Sequence, residues 1–203
     1  MKNTKAKRKV VRPAPARSSR KVNGNGSGVA IGLSPKQREA VNRTLNVALA
    51  NAYVLLTKTK KAHWDVVGPQ FMTLHKLWDE QYTALATISD ETAERIRMLG
   101  GFPLGTLQGF LGATELREDP GNVPSATDGV SMLLHDHETV IRSLRKVIEQ
   151  CAEKWDDAGT ADFLTGMMEE HEKMAWMLRS FLQGAAVASS GQSARGAVIP
   201  RMA

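Results

Sequence analysis

The chain of 203 residues contains no run of about 18 apolar residues, which excludes a membrane-spanning helix. Its single cysteine, Cys151, excludes an internal disulfide and fits a reducing compartment; the plain reading of that residue is a small apolar helix position rather than a reactive thiol. No acid occurs in the first 21 residues, and the basic start is followed by Pro, Ser, Asn and Gly where a secretory signal needs a hydrophobic segment. The expected location is therefore the cytoplasm. No segment alternates apolar and polar residues as strands do, and no internal repeat stands out, which disfavours sheets and solenoids. Rings are scarce at 5% of residues, but the 42% of hydrophobic residues suffice for the core of one ordinary domain.

What the chain does have is an uneven charge. Lys2, Lys5, Lys7, Arg8, Lys9, Arg12, Arg17, Arg20 and Lys21 form a tail of nine cations. Of the 27 Lys and Arg this leaves 18 against 21 acids, so a protein of net charge +6 is an acidic body of −3 carrying a basic tail. Residues 1–33 also hold Pro13, Pro15 and the run NGNGSG. Such a composition buries too little apolar area to offset the entropy of ordering, and the segment is predicted to be disordered.

From Ser34-Pro35 the pattern changes. Serine is a good N-cap and proline a good first helical residue, and Val41, Leu45, Ala48, Ala52, Leu55 and Leu56 recur at helical spacing. The first helix is predicted from about Pro35 to about Val67, where Gly68-Pro69 stops it and starts the next. The second carries Phe71, Leu74, Trp78, Leu85, Ile88, Thr92 and Ile96 and ends at Gly100-Gly101. A long Gly- and Pro-rich connection follows to about residue 124, with a short helix predicted around Leu104 to Leu111. Ser125 and Asp128 resemble a capping box that opens a third helix to about Glu153, and Thr160 is expected to cap a fourth running to about Phe181. Beyond Gly184 small and polar residues with Arg195 and Arg201 suggest a flexible C-terminal tail. The fold class is all-α: a basic tail over 1–33, a four-helix bundle over 34–183 with a long crossover between the second and third helices, and a second tail over 184–203.

The second helix concentrates chemistry. His75 with Asp79 and Asp90 with Glu94 are both one turn apart, so each pair shares a face and can grasp one cation. For either pair alone, two solvated polar residues is the plainer reading. The rise between Asp79 and Asp90 is roughly 16 Å, so the two pairs cannot reach one metal and each is half a site. An antiparallel copy of the same helix, related by a two-fold axis near residues 84 and 85, sets each pair against the other's partner and yields two equal sites per dimer. His63 ends the first helix just before the break and can approach His75. Imidazole with several carboxylates suits iron, manganese or zinc better than magnesium, and the absence of thiolates disfavours structural zinc.

His63, His75, Asp79, Asp90 and Glu94 stand at intervals of twelve, four, eleven and four residues, with Trp64 after the first histidine and ETAERI around Glu94. With LGGFPLGT after the second helix and DDAGTADFLT opening the fourth, this resembles the Dps family, the mini-ferritins also called DNA-binding proteins from starved cells, over about residues 34 to 182. The resemblance implies a ferritin-like subunit assembled as a hollow homododecamer. It implies a ferroxidase centre between two-fold-related chains in which His63, His75 and Asp79 of one chain meet Asp90 and Glu94 of the next. Fe(II) is then the substrate, hydrogen peroxide the preferred oxidant, and ferric mineral the stored product. Trp64 resembles the family's aromatic neighbour of the di-iron site, where it quenches radicals or merely packs and shields. Asp156, Asp157 and Asp162 look like the acids at the family's three-fold pores, although acids at a helix start also suit the helix dipole. No organic cofactor is expected. No His stands three residues after a Glu, so the intrasubunit site of ordinary ferritins is not supported. His135, His137 and His171 lie without matching partners and read as structural or surface residues.

The tail suits sequence-independent contact with double-stranded DNA phosphates, and having no aromatic residue it is poorly built to stack on bases. A solubilising arm, an anionic membrane or an acidic protein are the other readings; the resemblance favours DNA and a nucleoid-associated location, without a membrane partner. Two functions remain open: a peroxide-consuming ferroxidase and iron store that protects DNA, or an architectural DNA-compacting protein with residual iron chemistry.

Overall fold

Ser34 and Gln37 build a reciprocal cap at the head of α1 (Pro35–Asp65): the Gln37 N–H donates to the Ser34 hydroxyl at 3.3 Å and the Ser34 N–H to Gln37 Oε1 at 2.9 Å. The computed structural model describes residues 28–193, so the nine cations of the tail lie outside the described residues. Leu33, just before the cap, is half-buried against the core. Within α1 the predicted stripe Val41, Leu45, Ala48, Ala52 and Leu55 is buried. The helix gives way at Val66, and Gly68, at φ 101, turns the chain with Pro69 into α2 (Phe71–Met98). At the far end of α2 the Gly101 N–H reaches back to the Ile96 carbonyl at 2.9 Å, and a Cβ on Gly101 would lie 2.5 Å from Asn42 Nδ2. The close approach to α1 at that point thus depends on a missing side chain.

The crossover holds α3 (Leu107–Ala113), capped by Thr106 and packed on α1, where Phe110 stacks on Tyr53 at 4.3 Å. It lies slightly later than expected. Ser125 caps α4 (Ala126–Glu149), accepting from the Asp128 N–H at 3.2 Å. The helical run ends close to the expected Glu153, its last turn widened into a π turn over Gln150–Lys154 before Asp156 takes a positive φ of 52.

Thr160 is not the cap of α5 (Ala158–Ser193). It lies inside the helix, buried, and both its N–H and its hydroxyl donate to Asp157, at 2.9 and 2.6 Å. A carboxylate before the first turn meets the unpaired N–H groups and the helix dipole better than a neutral hydroxyl does. The helix also continues past the expected end near Phe181 to Ser193, over a segment whose alanines favour helix and which contains no proline.

α1 pairs with α2 and α4 with α5, and the pairs close on Leu45, Leu55, Leu74, Trp78, Leu85, Ile96, Leu133, Leu164 and Leu178. This is the expected all-α bundle with a long crossover. Among the described residues there is no strand, and no described helix is long and apolar enough to cross a membrane.

Candidate metal centre

The Gly68-Pro69 turn brings the last turn of α1 against the first turn of α2, and with them His63 and His75. Each ring reaches the other's backbone: His63 Nδ1 lies 2.7 Å from the His75 carbonyl and His75 Nδ1 lies 2.9 Å from the His63 carbonyl. A carbonyl only accepts, so each Nδ1 carries a proton, and the tautomer this selects has its lone pair on Nε2. The rings stack with centroids 3.7 Å apart, and Phe71 also stacks on His75, at 4.8 Å. This is the arrangement in which imidazoles serve as oriented metal ligands.

One turn along α2, Asp79 is exposed and its Oδ1 accepts the Tyr82 hydroxyl at 2.5 Å. That hydrogen bond to Asp79 pushes the phenol above its usual value, so Tyr82 stays protonated as a donor. The Tyr82 ring stands edge-on to His63 at 5.3 Å, and Lys60 Nζ sits 5.0 Å from the centroid of Tyr82 and 5.9 Å from that of Trp64. Trp64 itself is 67% exposed. Asp90 and Glu94 are exposed further along α2, and among the described residues neither makes an ion pair. The chain thus brings His63 and His75 together and keeps Asp90 and Glu94 apart from them. Among the described residues of one chain, no three His, Cys, Asp or Glu converge on a single point.

The three acids at the start of α5 differ in their surroundings. Asp156 and Asp162 are exposed, whereas Asp157 is buried, caps α5 and holds Arg95 Nη2 at 3.3 Å. Of the remaining histidines, His135 is exposed. His137 and His171 are not without partners: both are fully buried, with their Nδ1 atoms 3.0 Å apart. Burial pushes His137 well below its ordinary value, helped by His171, and pushes His171 down to about 4. Among the described residues their Nε2 atoms have no hydrogen-bond partner. A second buried polar contact joins Lys58 to Asp136 at 2.5 Å, and Lys58 also donates to the Arg117 carbonyl at 2.6 Å, tying the crossover to α1 and α4.

Sequence reasoning missed Tyr82, although it stands three residues after Asp79 on the same helix. The buried histidines had a signal too: His137 falls on the stripe Leu133, Val140, Leu144, and His171 on the stripe Leu164, Met168, Met174, Leu178. That the two stripes face each other is a property of the packing.

The model of the ferritin-like domain family matches residues 42–186. Fold and domain together define a ferritin-like protein. An uncharacterized low temperature-induced protein of Nostoc is 53% identical over 161 residues, covering 79% of this chain and 90% of the relative. DNA protection during starvation protein 2 of Bacillus anthracis is 42% identical over 70% of this chain and 96% of its own length. The crystal structure of a Dps protein from Vibrio cholerae, described as a member of a broad superfamily of ferritin-like diiron-carboxylate proteins, superposes with a TM-score of 0.70 at 30% identity, covering 74% of this chain and 94% of that one. The chain belongs to the Dps family.

Proposed function

We propose that the protein is a Dps-type ferroxidase and iron store. His63, His75 and Asp79 of one chain face Asp90 and Glu94 of the partner subunit across a two-fold axis, and each such site takes up a pair of Fe(II) ions as substrate. The observation that carries this reading is the reciprocal pair of Nδ1–H to carbonyl hydrogen bonds, which selects for both rings the tautomer that offers Nε2 to a metal. Support comes from the family membership and from the diiron-carboxylate description of the Vibrio cholerae protein. Two Fe(II) each give up one electron, and one hydrogen peroxide takes both and leaves, with two protons, as two waters. No one-electron route to hydroxyl radical then opens. Trp64 lies beside the site as its redox-active or shielding neighbour. The ferric product is stored as mineral inside a hollow homododecamer, and no organic cofactor takes part.

Asp156 and Asp162 are the acids placed to draw Fe2+ toward the pores, while the carboxylate of Asp157 is taken up by the α5 cap and Arg95. The basic tail binds double-stranded DNA without sequence preference, which puts the protein on the nucleoid in the cytoplasm. Anaerobic Fe(II) titration followed by peroxide, read as iron stoichiometry and oxidation rate, tests the chemistry. The shared site is tested by reassembling a His63→Ala, His75→Ala variant with an Asp90→Ala, Glu94→Ala variant. Mixed dimers regain part of the activity that each parent lacks, and no regain in dimers confirmed by mass rejects the site. The architectural reading is favoured by one observation, the nine tail cations unaccompanied by an acid.

A further inference from the structure

The geometry points to Tyr82 as a positioning residue for Asp79, holding one oxygen of that carboxylate so that the other is presented to the metal. This rests on the proposed ferroxidase reading. Asp79 is exposed and its carboxylate has no cation among the described residues, so only the Tyr82 hydroxyl, 2.5 Å from Oδ1, fixes its orientation. The phenol is itself held, edge-on against His63 at 5.3 Å and beneath Lys60 Nζ at 5.0 Å from its centroid. The ring that places the hydroxyl therefore also touches the first histidine, and one side chain links the orientations of two ligands that belong to different helices. Hydrogen bonds of this kind orient a metal-bound carboxylate, and losing one typically costs about 10–100-fold in metal affinity. With Oδ1 engaged, Oδ2 is the oxygen left to bind, and the entropy of fixing an exposed aspartate is met before the metal arrives.

Co(II), which does not consume peroxide in this way and reports coordination through its visible absorption, is the probe, added alone to the assembled full-length protein. Tyr82→Phe keeps the ring and loses the donor; Tyr82→Gln keeps a donor and loses the ring. Tyr82→Phe is expected to bind Co(II) at least about 10-fold more weakly with a shifted visible spectrum, and Tyr82→Gln to recover part of both. Tyr53→Phe, remote and stacked on Phe110, changes neither. If Tyr82→Phe matches the wild type while Asp79→Ala loses binding, or if Tyr82→Gln is the weaker of the two, the positioning role is overturned and the ferroxidase reading stands. If the wild type binds no Co(II) that Asp79→Ala or His63→Ala removes, both fall together.

Discussion

Acidifying the protein from pH 7 to pH 4 loads the His137–His171 pair with strain that surface groups do not share. In the neutral pair one Nδ1–H donates to the other Nδ1, so an added proton has to land on an Nε2 that is buried without a partner. Both histidines therefore have folded values below the ordinary 6.5, with His171 at about 4 and His137 well down. Above 6.5 neither the folded nor the unfolded chain takes up a proton at these positions, and the pair has no effect on the pH dependence. Below it the unfolded chain protonates while the folded chain does not, so stability falls as pH falls. The slope approaches about 1.4 kcal/mol per pH unit for each histidine, on the order of 3 kcal/mol for His171 by pH 4, a large share of an ordinary domain's stability. A His137→Leu, His171→Leu double variant removes both polar groups together, which leaves stability at pH 7 nearly unchanged. It is then expected to exceed the wild type in guanidinium midpoint increasingly between pH 6 and 4.5, at fixed protein concentration with helicity followed by circular dichroism. Parallel decline of the two proteins over that range would mean that the buried pair does not resist protonation in the folded chain.

Lys58→Met leaves the Asp136 carboxylate buried and uncompensated and is expected to cost about 3–5 kcal/mol in denaturant titrations, with recovery when Asp136→Leu is added. Gly101→Ala drives a methyl group toward Asn42 and lowers the melting temperature, whereas Gly105→Ala, with open space around it, leaves it unchanged. In plasmid nicking by iron and peroxide, the Asp90→Ala, Glu94→Ala variant protects less than the wild type at equal DNA binding; equal protection favours the architectural reading. Removing residues 1–21 takes away nine cations, so gel retardation of DNA weakens and loses its steep salt dependence while iron oxidation persists. An unchanged midpoint and salt slope would show that the tail is not the DNA-binding element.

The helices were legible because their signals are local. Ser34-Pro35, Gly68-Pro69 and Ser125 mark breaks that the backbone itself requires, and the apolar stripes between them have the helical period. The ends that failed depended on more distant partners. Asp157 displaces Thr160 as the cap of α5 partly because Arg95, brought in from α2, makes a buried carboxylate tolerable there. The end of the third bundle helix fell where expected, but that its last turn over Gln150–Lys154 is a π turn is something no spacing rule records. The same division runs through the candidate centre. The Gly68-Pro69 break before His75 was enough to bring His63 near it, but the reciprocal carbonyl bonds that set both tautomers arise only once the hairpin closes.

That closure has a consequence for how the centre is made. The His63 and His75 rings are each fixed by the other residue's backbone carbonyl, so their orientation is set within one folded subunit and needs neither metal nor partner. Asp90 and Glu94 have no comparable support; they stand exposed on a single helix, and among the described residues no side-chain hydrogen bond or ion pair orients them. On the proposed reading, assembly therefore joins a preset imidazole half to a loose carboxylate half, and weakening the two-fold contact should affect the carboxylates first. A subunit held monomeric should then keep weak metal binding sensitive to His63→Ala, Asp90→Ala should leave that binding unchanged, and sensitivity to Asp90→Ala should appear only on assembly. Metal titrations of monomer and assembly, run side by side with the two variants, check this order. Equal sensitivity to both substitutions in the monomer would mean that a single chain closes the site by itself.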